Sequence, residues 1–381
     1  MEPQFNFQAA ITPAAIEEAR GWIGRPVRIE QYNHEAGYDA IRHYAFGIGD
    51  DNPLWCDEDY AARGPHGGMV APPTFIFSVF VAALSMGFPG LQPFYGGCAI
   101  DFVRPIRRGE RVVASGHLTD VEEVRGGAAS DHKIVQQGDV FYKTPAGATL
   151  AVCHTRSYRV PHRGQPGALN YQPLEQRRYS QEELARIQAD VFAEQVRGAT
   201  PRHWEDVAVG DRLTPVVKGP LDRITMTCYY AGAIGTAGYK ACELKWKQWH
   251  NARHHPELIP TNTDRWYFEE ALSPSLGHQD DGVARTIGMP AAYDNGHQRC
   301  GWMAHLVTNW MGDHATLRRL EVRIQRPNIF GNTTWCHGEV VRKFEDGGQG
   351  AVELALRAVN QDGEQNTRGS AIVWLPRRSA A

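Results

Sequence analysis

Three extended stretches follow one another in the first half of the chain: Arg111 to Leu118, Lys133 to Tyr142 and Thr149 to Tyr158. Each is rich in β-branched and aromatic residues and is parted from the next by a glycine-containing turn, the pattern of neighbouring antiparallel strands. The second half repeats it as Thr333 to Arg342, Ala351 to Val359 and Ser370 to Trp374, with turns at Asp346-Gly347-Gly348 and Asp362-Gly363. Ahead of the first set, Phe75 to Leu84 is apolar on nearly every side. Ala71-Pro72-Pro73-Thr74 predicts a long helix starting there, because proline is tolerated in a first turn where no amide partner is lost. A helix apolar all round must be wrapped by other elements. Ser180-Gln181-Glu182-Glu183-Leu184 predicts a further helix, with a serine N-cap and a capping-box glutamate. Residues 12 to 24 predict a short one.

The two halves are copies. Arg104-Pro105 followed by Gly109 and Gly116 recurs as Arg326-Pro327 followed by Gly331 and Gly338, 222 positions on (326 − 104). The same offset joins Asp59, Ala62 and Arg63 to Asp281, Ala284 and Arg285, and lays Phe75 to Met86 over His297 to Thr308. Fixed-offset similarity over such a length marks a duplicated structural unit. Upstream, Tyr44 to Gly49 aligns with Tyr230 to Gly235 at offset 186 (230 − 44), so the second copy carries about 36 extra residues (222 − 186). The expected architecture is α+β, a buried helix enclosed by a curved antiparallel sheet, made twice. The expected organisation is a first domain over 1–160, a linker with a helix over 161–200, and a second domain over 201–381 with an insertion about 238–272.

Composition narrows the function classes. The chain of 381 residues has a net charge of −3, with 42% hydrophobic and 22% charged residues, the make-up of a soluble globular protein. No charge excess calls for nucleic acid or an anionic membrane. The longest apolar run, Phe75 to Met86, falls short of the ~20 residues that span a bilayer. Seven scattered cysteines with no Cys-x-x-Cys pair, and no basic-then-apolar start, predict reduced thiols in a cytoplasmic protein.

Candidate chemistry begins at Gly49-Asp50-Asp51-Asn52-Pro53-Leu54-Trp55. This nearly matches the Gly-Asp-x-Asn-Pro-Leu-His signature of hydratases acting on unsaturated acyl thioesters. Val70-Ala71-Pro72-Pro73-Thr74-Phe75, the two Arg-Pro-x-x-x-Gly segments and Trp204 to Asp211 support it. On these residues the chain resembles the MaoC-like hydratase/dehydratase family, related to (R)-specific enoyl-CoA hydratases, in its two-domain form. The resemblance implies a double hotdog fold. It also implies reversible addition of water to a 2-enoyl-CoA or carrier-bound enoyl ester, without metal or redox cofactor, coenzyme A being part of the substrate. Acyl-CoA is then the expected partner, and the chain, already a pseudo-dimer, is expected as a monomer or a homodimer.

Carried over residue by residue, Asp50 takes the place of the family's catalytic aspartate and Asn52 that of its asparagine. Trp55 stands where the family has histidine; an indole N–H donates a hydrogen bond but exchanges no proton near neutral pH. Trp55 therefore reads as a wall of the acyl pocket or as plain core. Two replacements for the histidine offer themselves. His278 lies opposite Cys56 at offset 222, and Tyr293-Asp294-Asn295-Gly296-His297 opens the second apolar segment, where the amides of Gly296 and His297 are free to hold an anion. Arg104 is a candidate for coenzyme A phosphates. Against these stand plainer roles: Asp50 and Asn52 as turn residues that hold Pro53, Arg104 as part of a solvated cluster, His297 as a solvent-facing first-turn residue. A metal reading of His250, His254 and His255 finds no carboxylate or cysteine pattern to complete it. Two other readings keep the fold: a thioesterase, and an acyl-CoA-binding partner subunit with reduced catalysis.

Overall fold

The computed structural model describes residues 10–88, 91–126, 130, 132–161, 167–169, 171–235, 253 and 277–378. The insertion expected about 238–272, residue 253 apart, and its three histidines lie outside the described residues.

Among the described residues nine antiparallel strands form one continuous sheet: β1 (Gln92–Phe102), β2 (Val113–Arg125), β3 (His132–Lys143), β4 (Thr149–Val160), β5 (Val216–Lys218), β6 (Thr316–Ile324), β7 (Thr334–Asp346), β8 (Gln349–Asn360) and β9 (Gln365–Leu375). Their order is β2-β3-β4-β1-β6-β9-β8-β7-β5, so the two repeats meet edge to edge through β1 and β6. In that ladder Ala99 pairs with Glu321. The two are 222 apart (321 − 99), each the other's counterpart in the duplication. The pseudo-two-fold axis relating the repeats therefore passes through this pair, as in a self-complementary dimer interface. Six of the nine strands fall where the extended stretches predict them; β1, β5 and β6 are additional.

The long helix of the second repeat, Gly296–Met311, forms as expected. Asn295 caps it by accepting from the His297 amide, and Gly312 ends it at φ 75°. Every residue from His297 to Met311 is buried. The first repeat departs from expectation. Its matching segment is helical only over Pro73–Phe75 and Ile76–Val79, after which Phe80 is extended (φ −157°, ψ 130°) and Ala82 has φ 53°. The reason is competition for carbonyls. The Tyr32 amide donates to Val79 O (2.8 Å), and the Asn33 amide and side chain both donate to Ser78 O, at 3.2 and 2.9 Å. The Tyr142 hydroxyl donates to Phe80 O. A run of β-branched and aromatic residues, weak helix formers, yields readily to such partners.

The linker helix Gln181–Phe192 has the predicted capping box at Ser180 and Glu183, and the short N-terminal helix spans Pro13–Arg20. Among the described residues no helix is long and apolar enough to cross a membrane.

Candidate active site

The Gly-Asp-x-Asn-Pro-Leu stretch folds as a chain of local caps. Gly49 takes φ 65°, the left-handed turn open to glycine. Asp50 Oδ1 accepts from the Asn52 amide (3.1 Å), and Asn52 Oδ1 accepts from the Leu54 amide (3.0 Å), starting the one-turn helix Pro53–Cys56. The turn-building role expected of Asp50 and Asn52 is thus realised, and it places both side chains inward: Asp50 is 2% and Asn52 1% exposed.

Three residues of the second repeat close over this turn. His305, on the long helix, brings Nε2 to 3.5 Å from Asp50 Oδ1. Lys218, at the end of β5, donates from Nζ to Gly49 O (2.5 Å) and lies 2.8 Å from His305 Nδ1. The Asn309 side-chain amide lies 2.9 Å from His305 Nε2. As an ammonium, the form that the Asp50 and Glu194 charges favour, Lys218 can only donate, so the imidazole accepts at Nδ1 and carries its proton on Nε2, toward Asp50. The Asn309 amide must then turn its Oδ1, otherwise without a partner, to Nε2. Burial raises the Asp50 pKa to about 6, against the opposing pull of the Asn52 amide and the Lys218 charge. Burial, then Lys218, holds His305 well below the ordinary histidine range, and burial lowers Lys218. At neutral pH the row is an ionised aspartate, a neutral histidine and a lysine. Asp50, Asp51 and His305 bring ligand atoms within 4.8 Å of one another, the one such group among the described residues, with the Lys218 cation already on His305.

Beside the turn runs an apolar cleft of roughly 680 Å³ empty volume, open to solvent and lined from both repeats: Val70, Pro73, Ile76, Phe102 and Leu150 from the first, Thr308, Met311 and Leu317 from the second. Asn52 and Trp55 form part of its wall. The Asn52 NH₂ makes no hydrogen bond among the described residues, whereas the buried Trp55 indole N–H, though it meets no acceptor at full hydrogen-bond geometry, acts on the Asp50 carboxylate and lowers its pKa. Asp50 lies directly behind this wall, tied to it by the Asn52 amide. Arg104 lines the cleft, but its guanidinium is held by the Glu110 carboxylate at 2.9 and 2.5 Å.

The remaining expected residues gather elsewhere. His297 lies eight residues before His305, ~12 Å back along the helix axis. It is buried against Tyr95, ring centroids 3.7 Å apart, and burial lowers its pKa to about 3. The solvent-facing role envisaged for it is therefore not what the fold provides. Gly296 sits beneath Tyr95, where an added Cβ would come to 2.8 Å of the ring. His278 is buried with Nδ1 2.8 Å from Tyr293 O, its ring 4.2 Å from that of Tyr293, and its pKa is lowered to about 4 by burial. Asp294 is committed to Arg299 and Asn328. The structure places Asn52 and Trp55 at the cleft, with Asp50 buried behind them and not among its lining residues, and leaves His278, Tyr293, Asp294, Gly296 and His297 as a second cluster at the far end of the helix. Sequence reasoning missed His305, Lys218 and Asn309. One signal was available: at offset 222 His305 falls opposite Ala83, an imidazole in a helix predicted to be enclosed on all sides.

Comparison with known proteins fits this geometry. Residues 21–142 match the family described as FAS1-like, dehydratase domain region. Across nearly its whole length the chain superposes on a solved MaoC-like dehydratase (19% identity, TM-score 0.65, 94% of this chain and 100% of that one). The chain has a double hotdog fold. A conserved hypothetical protein of Mycobacterium tuberculosis with a double hotdog fold shares its architecture at 9% identity (TM-score 0.53, 93% and 96% covered). Among curated sequences, UPF0336 proteins match part of this double hotdog. The one from Streptomyces griseus is 29% identical over 118 residues, 29% of this chain and 76% of its own length. The one from Thermobifida fusca is 28% identical over 114 residues, 28% of this chain and 74% of its own length. Their names state no activity.

Proposed function

We propose that the protein is an acyl-thioester hydratase/dehydratase, adding water reversibly to a 2-enoyl ester of coenzyme A or of a carrier. The observation that carries this reading is the Asp50–His305 pair at 3.5 Å, placed where the repeats meet and immediately behind the cleft wall formed by Asn52 and Trp55. The histidine absent at position 55 has a counterpart supplied by the long helix of the other repeat.

In this reading the acyl chain fills the apolar cleft, which is lined from both repeats. Asp50, mostly ionised at neutral pH, takes a proton from a water admitted with the substrate as its oxygen bonds to Cβ. The electron pair of the double bond moves to Cα and the thioester oxygen, where the unengaged Asn52 NH₂ is the available donor. Return of the proton to Cα completes the addition, with H and OH gained and nothing else consumed. His305, neutral and protonated at Nε2, steadies the carboxylate through the cycle.

The test is a panel of enoyl-CoA and 3-hydroxyacyl-CoA esters followed at the enoyl absorption band. Asp50→Asn is expected to lower kcat/KM by ~10²–10⁴-fold, and His305→Ala to reduce it strongly, whereas His297→Ala, ~12 Å distant along the helix, leaves most of it. The wild-type rate should fall as pH drops below about 6, where Asp50 takes up a proton. Undiminished turnover by Asp50→Asn overturns the reading. Release of free thiol from saturated esters would identify a thioesterase instead, and tight binding without turnover a catalytically reduced partner subunit.

A further inference from the structure

We propose that Lys218 is the positioning residue of this site: it clamps the Gly49-Asp50 turn of one repeat to the long helix of the other and holds His305 in the tautomer that presents Nε2–H to Asp50. This rests on the reading of Asp50 as the proton-handling group. The geometry is specific. Nζ reaches Gly49 O at 2.5 Å and His305 Nδ1 at 2.8 Å, and Lys218 is 8% exposed. Position 49 is shaped around it, since a Cβ there would lie 3.2 Å from Nζ. The lysine is delivered by a strand only three residues long, fixed by its ladder to β7 (Val216↔Cys336, Lys218↔Thr334) and by the Val217 amide donating to Glu194 Oε1 at 2.7 Å.

A buried ammonium whose two close acceptors are a carbonyl and a neutral imidazole needs negative charge nearby. The titratable groups around it are Asp50 and Asp51 on the turn, Glu194 after the linker helix, Cys336 on β7 and His305 on the long helix. Of the carboxylates, Asp50 is the one aligned with His305, so lysine, imidazole and carboxylate form one row running from the second repeat into the first. A lysine that served only to join the repeats would have no need of the histidine. Its contact with Nδ1 determines which ring nitrogen faces the carboxylate.

Two measurements test this. In wild-type protein carrying ¹⁵N-labelled histidine, the His305 resonance, assigned by its loss in His305→Gln, should report the Nε2–H tautomer from pH 6 to 9; the Nδ1–H tautomer would overturn the proposal without any need for a Lys218 variant to fold. In Lys218→Met, the tautomer should become mixed, kcat should fall ~10–100-fold with KM within about threefold, as misplacement of a working group does, and the acidic limb of the pH profile should move to higher pH because the cation that favours ionised Asp50 is gone. A Lys218→Met enzyme with the wild-type tautomer and pH limb would also overturn it. If the wild type hydrates no thioester, the functional reading falls while the tautomer measurement still decides the clamp.

Discussion

Asp50 sets a stability cost against a chemical gain within one side chain. Its folded pKa of about 6 stands above the ~3.9 of an unfolded aspartate. The folded chain therefore keeps a proton that the unfolded chain has already lost. Its contribution to stability is full below pH ~4, erodes as pH rises to about 6, and stays lost above that. Asp50→Asn carries no such penalty, so at pH 7.5 the variant should be more stable than wild type by up to about 3 kcal/mol, the advantage vanishing at pH 4. Urea unfolding at the two pH values checks this, and equal differences at both would show that Asp50 titrates normally. A variant that is inactive yet more stable is the behaviour of a functional site held at the expense of the fold. Asp50 and Asn52 were legible in the sequence because the turn that positions them is local, each residue capping an amide two positions on. His305 and Lys218 were not, because each meets Asp50 across the boundary between repeats, where no sequence spacing speaks.

The long helix, as an element, shows what separates a structural cluster from a chemical one. Asp294, just ahead of its first turn, and Arg299 form a buried two-point ion pair, Nη2 to Oδ1 at 2.6 Å and Nε to Oδ2 at 2.7 Å. The remaining guanidinium nitrogen donates to Arg326 O at 2.8 Å and to Asn366 O at 3.2 Å, tying the helix start to the segment after β6 and to β9. With its partners satisfied, Asp294 has little capacity left for a substrate. Arg299→Ala should cost on the order of 3–5 kcal/mol, because it leaves a carboxylate buried without its counter-charge. Loss of well under 1 kcal/mol in chemical denaturation would show that water reaches Asp294. The strands were readable from β-branched and aromatic content, whereas the first apolar segment was misread as a long helix: its own residues carry no sign that Asn33 and Tyr32, some 45 positions earlier, take the carbonyls a helix would need. β1 escaped notice for a related reason. Gly96 and Gly97 lie at a break in its register with β4, and glycine is a weak strand former.

For the molecule as a whole, the junction of the repeats is the element on which both sheet and site depend. The β1–β6 ladder is centred on the Ala99–Glu321 pair, and Gly97 stands at its edge with φ 120°. A Cβ at Gly97 would meet Val322 O at 2.1 Å, a backbone atom that can move only if the ladder does. Gly147, at φ 90° in the β3–β4 turn, has nothing within 4 Å of the same added atom. Gly147→Ala should therefore show the cost of the backbone conformation alone, ~1 kcal/mol. Gly97→Ala adds a steric shift of the junction and should cost on the order of 1–3 kcal/mol more. Because Asp50 comes from one repeat and His305 and Lys218 from the other, that shift should also lower the hydration rate at temperatures where the protein remains folded, while Gly147→Ala keeps the wild-type rate. Chemical denaturation and enoyl turnover measured side by side on the two variants separate the outcomes. A Gly97→Ala protein that is destabilised but fully active would mean that the contacts around Lys218 align the two repeats without help from the sheet.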